Sequence, residues 1–184
     1  ATIQDMSEII PRWEWRSFDR RFGTAESRLR ALTPGAVQES DEIYLLHGTG
    51  DNVKVRDRLM DIKVLQQVNE DGLEQWTPVM KQSFPLPAEV VAKVHEALRL
   101  PVPPLPRPGY SLDEFTAPGS AIRAVKVHKR RTRFTVGGCM AELSEVTADG
   151  KATRTIAVES PDAAAVIRAV RELGLGGYRN TSYP

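Results

Sequence analysis

Residues 12–18 read RWEWRSF, and the spacing of the charges in that stretch decides the fold. Arg12, Glu14 and Arg16 alternate with Trp13, Trp15 and Ser17. Successive side chains on a β-strand point to opposite faces, so the stretch predicts a strand with ions on one face and indole rings on the other. Three further stretches repeat the pattern. Lys54 and Arg56 alternate with Val53 and Val55, Asp61 and Lys63 flank Ile62, and Lys129, Arg131 and Arg133 take every second place. On a single strand the charged face is the ordinary wet side of a sandwich. Several such strands in one small chain predict a curved sheet or barrel with a charged concave surface.

The rest of the chain extends that reading. Residues 8–18 form a first strand with Pro11 at its edge. Thr24 caps a short helix that Pro34 stops. Strands are expected at 41–48, 53–56, 61–68 and 73–80, with turns at Gly48–Asn52 and Glu70–Gly72. Pro87 opens a helix to about Leu98, with Val90, Val91, Val94 and Leu98 on one side. Residues 101–109, PVPPLPRPG, read as an extended spacer. Beyond it come a helical turn at 111–115, a long basic strand at 122–136, a bend at Gly137-Gly138 and strands at 141–147 and 154–159. Asp149-Gly150 marks a hairpin turn. A helix follows from Ser160-Pro161-Asp162 to Leu173. Two halves of similar plan, about 8–100 and 120–184, thus share one 1–184 domain across a Pro-rich linker.

Composition narrows the function classes. Twenty-five basic against 24 acidic residues give a net charge of +1, so no global field draws nucleic acid or anionic lipid. Anion binding has to come from local clustering. The single cysteine, Cys139, excludes an internal disulfide and argues against a cysteine-based zinc site. No apolar run reaches the ~20 residues of a membrane span, and no secretory signal pattern is present, so a cytoplasmic protein is expected. The sequence from Asn180 to Pro184 stops abruptly, as a domain excised from a longer chain would.

Other constellations carry blander readings. Residues 129–134 could serve nucleic acid, but basic residues on both faces of one strand are more often half solvated. His47, His95 and His128 lack ligand spacing, and Gly48-Thr-Gly50 lacks the Gly-Lys-Ser/Thr of a phosphate loop. The three tryptophans read as core or interface anchors.

The order of a Glu-bearing first strand, a Lys-x-Arg strand, a strand with Ile-Lys, a second Lys-x-Arg strand and a late acidic strand resembles the CYTH superfamily, the triphosphate tunnel metalloenzymes. The strings RWEWRSF, ESDEIYLL, DNVKVRD, LMDIKVL, VHKRRTRFTVGGCMAE and NTSYP look closest to the CYTH-like domain at the N-terminus of bacterial exopolyphosphatase-type proteins. The resemblance implies an α+β fold, an antiparallel barrel of about eight strands with flanking helices. It implies phosphate binding by Arg16, Lys54, Arg56, Lys63, Lys129 and Arg131, although Lys126 and Arg130 offer a competing register. It also implies catalytic roles for Glu14 and Glu159, and one Mg²⁺ or Mn²⁺ at most, on Glu14, Glu142 and Glu159.

The family's Glu-x-Glu-x-Lys reads Arg12-Trp-Glu14-Trp-Arg16 here, the mid-chain acids reduce to Glu74 beside Trp76, and the late pair reads Ala157-Val-Glu159. The cation-binding half is thinned and the anion-binding half kept, which favours binding over catalysis. The expected partner is polyphosphate, triphosphate or a nucleotide anion, with a phosphatase domain in the same longer chain. The alternatives are an active metal-dependent triphosphatase and a degenerate, partner-binding barrel.

Overall fold

The computed structural model describes residues 10–48 and 51–183. Expectations for residues 8–9, 49–50 and Pro184 lie outside them. Among the described residues there are eight strands: β1 (Arg12–Asp19), β2 (Val37–Leu46), β3 (Asn52–Arg56), β4 (Leu59–Val68), β5 (Glu74–Ser83), β6 (Arg123–Val136), β7 (Cys139–Ala148) and β8 (Lys151–Ser160). They close into an antiparallel barrel in the order β1-β5-β4-β3-β2-β6-β7-β8. Closure gives every strand two neighbours and an inward face, although β1 pairs with β5 only from Arg12 to Glu14.

Three helices cover the outside: α1 (Thr24–Arg30), α2 (Ala88–Ala97) and α3 (Ala163–Glu172). Helix α1 begins one residue before the expected first turn. Gly23, with φ of 54°, takes the cap position, and Thr24 makes no capping hydrogen bond. Glu26 in the first turn pairs instead with Arg30 one turn on and with Arg154 of β8. For α3 the cap is Asp162, whose carboxylate accepts from Ala164 N at 3.0 Å, while Ser160 Oγ accepts from Asp162 N.

The outward faces of the strands supply two cores. Trp15, Ile156, Val158, Leu143 and Phe134 pack under α1 and α3, against Phe22, Leu29, Val166 and Val170. Val53, Val55, Met60, Ile62 and Met80 pack under α2, against Val90, Val91 and Val94. Each fully buried side chain of this kind contributes roughly 1.5–3 kcal/mol. This is why the residues between the charges are apolar: the helices, and no solvent, face them. A third apolar cluster, Tyr44, Val127 and Val146 with Leu46, Val125, Ala148 and Tyr183, lies inside the barrel.

The Pro-rich stretch runs extended between α2 and β6 and is pinned near its end. Tyr110 and Leu86 exchange backbone hydrogen bonds at 2.8 and 3.0 Å, and Leu105 and Tyr110 pack on the α2 core.

Candidate functional site

The barrel encloses a cavity of about 510 Å³. Eight cations line it: Arg12 and Arg16 from β1, Lys54 and Arg56 from β3, Lys63 from β4, and Lys129, Arg131 and Arg133 from β6. Among the described residues three carboxylates share the wall, Glu14, Glu142 and Glu159. A chain with net charge +1 thus carries a concentrated positive interior. The register follows from period two. Lys129, Arg131 and Arg133 point inward, whereas Lys126 and Arg130 are exposed on the outer surface, Arg130 beside Glu39. All six residues expected to face phosphate therefore meet at one cavity.

Sequence reasoning missed the residue that organises the deepest part. Glu42 on β2 is 1% exposed. Its Oε1 accepts from Lys129 Nζ at 3.0 Å and lies 3.5 Å from Lys54 Nζ. Its Oε2 accepts from Ser40 Oγ at 2.8 Å and lies 3.4 Å from Arg131 Nη2. Burial alone would raise its pKa, but Lys129 and Lys54 overcome that and hold it at about 2. One permanent anion gathers cations from two strands.

Burial acts the other way on the lysines. It brings Lys129 down to about 6, with Lys54 adding to the drop and Glu42 opposing it. Lys54 falls to about 8, again through burial, with Glu42 opposing and Lys63 reinforcing. Lys129 also donates to Tyr44 Oη at 2.7 Å. Arg16 is buried, which disfavours its charge, yet Glu142 and Glu14 outweigh that and raise its pKa. Among the described residues Arg56, Lys63 and Arg133 have no salt-bridge partner, so they are the cations free to meet an incoming anion.

The acids expected to hold a metal are engaged elsewhere. Glu14 accepts from Arg16 at 3.1 and 3.2 Å. Glu142 pairs with Arg16 through one oxygen and lies 3.1 Å from Arg131 Nε through the other. Glu159 accepts from Arg12 at 2.9 Å. In register Glu74, Glu14 and Glu159 are neighbours across β5, β1 and β8. Burial, and then Glu14, raise the pKa of Glu74. Among the described residues no group of three or more His, Cys, Asp or Glu side chains is placed to hold a metal ion. With a guanidinium on each of its three carboxylates, the expected Mg²⁺ or Mn²⁺ set does not fit a divalent cation as arranged.

Several buried polar atoms among the described residues have no hydrogen-bond partner: Trp76 Nε1, Ser144 Oγ, Tyr183 Oη and Asn52 Oδ1 among them. All but the last belong to groups able to donate. Trp76, read from sequence as an anchor, thus lines the cavity with an unused N–H. His128 pairs with Asp41 at 2.8 Å on the outer surface, and Cys139 is a buried core residue.

No protein-family model and no curated protein matches the chain. Solved structures do. A conserved hypothetical protein from Pyrococcus furiosus superposes with a TM-score of 0.55 at 14% identity, covering 94% of this chain and 97% of that one. A candidate adenylate cyclase from Bacillus halodurans gives 0.52 at 13%, covering 92% of each. A candidate adenylyl cyclase from Hippeastrum, described as having a dominant triphosphatase activity, gives 0.52 at 13%, covering 94% and 92%. At these identities the likeness concerns the fold. The chain has the closed eight-stranded barrel of the triphosphate tunnel, or CYTH, type.

Proposed function

We propose that this domain binds the phosphate chain of tripolyphosphate, inorganic polyphosphate or a nucleoside triphosphate inside its barrel. The observation that carries the reading is the convergence of Arg16, Lys54, Arg56, Lys63, Lys129 and Arg131 from four strands on one cavity. A phosphate chain presents acceptor oxygens on every side, and only donors arriving from several directions satisfy them. The unpartnered donors of Trp76 and Tyr183 add to that support. Binding is favoured over hydrolysis because Glu14, Glu142 and Glu159 are each held by an arginine.

The resemblance to the N-terminal domain of exopolyphosphatase-type proteins supports a substrate-presenting or regulatory module beside a phosphatase domain. A hydrolytic reading draws on the Glu74, Glu14, Glu159 row. Calorimetric titration with tripolyphosphate, with and without Mg²⁺, is the test. The reading expects saturable binding at moderate salt without the metal and no release of phosphate. Absence of binding refutes it, and Mg²⁺- or Mn²⁺-dependent phosphate release that Glu14→Ala abolishes turns it toward hydrolysis.

A further inference from the structure

We infer that the cavity is blind, stopped at its inner end by Tyr183, so that the site takes the free end of a phosphate chain and refuses an internal segment. The inference rests on the phosphate-binding reading above and specifies which ligands that reading admits.

The strand order opens a gap that the residues after α3 fill. β1 pairs with β5 only from Arg12 to Glu14, so beyond Glu14 this edge of β1 has no strand beside it. The segment from Asn180 runs along that edge. Thr181 N donates to Arg16 O at 2.7 Å, and Arg16 N donates to Asn180 Oδ1 at 3.0 Å. On its other side Asn180 Nδ2 donates to Gly72 O, at the turn before β5, at 2.5 Å. Asparagine thus bridges the two lips of the gap, and the chain continues inward.

Three residues on from Asn180, the Tyr183 ring lies within the barrel. Lys129 Nζ stands 3.6 Å from the ring centroid and the Arg16 guanidinium 4.6 Å from it. The ring stacks on Tyr44 at 5.5 Å and meets Phe18 edge-on at 5.0 Å. Tyr183 also packs with Val127 and Val146, so it joins an apolar cluster to the cation-lined cavity. Anions gain nothing by passing through such a cluster, since burying an unpaired charge there is costly. Both cations lie against the Tyr183 ring, which holds them at the closed end of the cavity. The Tyr183 hydroxyl is buried without a partner. Burial raises its pKa, so it remains a donor.

The test compares chain ends at matched charge. Tripolyphosphate has two free ends, whereas a dinucleoside pentaphosphate carries comparable charge with both ends capped. A capped chain cannot reach Lys129 and Arg16 at the closed end. Losing two charge-assisted hydrogen bonds, each about 1.5–3 kcal/mol, predicts binding weaker by about a hundredfold or more. On long polyphosphate the wild-type protein should bind two molecules per chain whatever the chain length. Tyr183→Ala, which trims the stop, should raise that ratio on long chains.

Equal binding of capped and free-ended ligands, or a wild-type ratio that grows with chain length, overturns the inference while leaving the phosphate-binding reading intact. A ratio unchanged by Tyr183→Ala removes Tyr183 as the stop. Failure of tripolyphosphate itself to bind refutes the parent reading and the inference with it.

Discussion

Replacing Glu42 by glutamine keeps the shape of the side chain and removes its charge. In the wild-type protein that carboxylate faces Lys129 at 3.0 Å, Arg131 at 3.4 Å and Lys54 at 3.5 Å. Glutamine leaves these three with one buried anion fewer between them. Breaking a buried ion pair from one side costs about 3–5 kcal/mol. For a domain of this size about 2–4 °C of Tm corresponds to each kcal/mol, so Tm should fall by about 10 °C. Part of the cost is avoidable, because Lys129 already has a pKa of about 6 and can shed its proton. The fall should therefore be larger at pH 5.5 than at pH 8. Tripolyphosphate should raise the Tm of Glu42→Gln by more than it raises that of the wild type, since the ligand replaces the missing anion. Differential scanning fluorimetry at the two pH values, with and without ligand, reads all three effects. A variant within about 2 °C of wild type at both pH values would refute the claim that Glu42 balances the cluster.

Ligand binding should depend on pH. A bound polyanion favours the ammonium forms of Lys129 and Lys54, whose pKa values without ligand are about 6 and about 8. Complex formation then takes up protons above pH 6, and affinity should drop by up to about tenfold per pH unit for each proton as pH rises through these values. A flat profile, once the ligand's own ionisation is corrected for, would contradict this. Acid should act through the carboxylates. Glu42 and Glu142 stand at about 2, below the ordinary value of 4.5, with burial opposing and neighbouring cations prevailing. The stability they contribute is present above about pH 4.5 and lost as pH falls toward 2. Urea midpoints between pH 6 and pH 2.5 should follow that fall, and constant midpoints would contradict it.

The inward set was legible because period two is strict within a strand. Once Trp15, Val53, Val55 and Ile62 were assigned to a covered face, Arg16, Lys54, Arg56 and Lys63 had to share the other. Glu42 escaped notice because both faces of β2 contain apolar residues. Ile43 and Leu45 turn out toward α2, while Tyr44 and Leu46 turn in. Its signal was there in phase: Ser40, Glu42 and Tyr44 alternate with Ile43 and Leu45. The first four residues of β2, Val37–Ser40, were missed for a related reason, since their partners are the charged Lys129–Thr132 stretch and no hydrophobic alternation marks them. Tyr183 had no periodic signal at all. Its place is set by backbone bonds to Arg16 and the Gly72 turn, contacts across more than a hundred residues that spacing cannot reveal. The three carboxylates expected at a metal, Glu14, Glu142 and Glu159, do share one cavity, but spacing along the chain could not reveal that Arg12 and Arg16 pair with them there.

The most direct measurement is a crystal structure of the protein grown with tripolyphosphate. The account predicts a phosphate chain within the barrel, its oxygens in hydrogen-bond contact with Arg56, Lys63, Arg131 and Lys129, and its terminal phosphate nearest Tyr183. Tripolyphosphate ordered only on the outer surface, with the barrel cations still paired to Glu42 and Glu142, would contradict it.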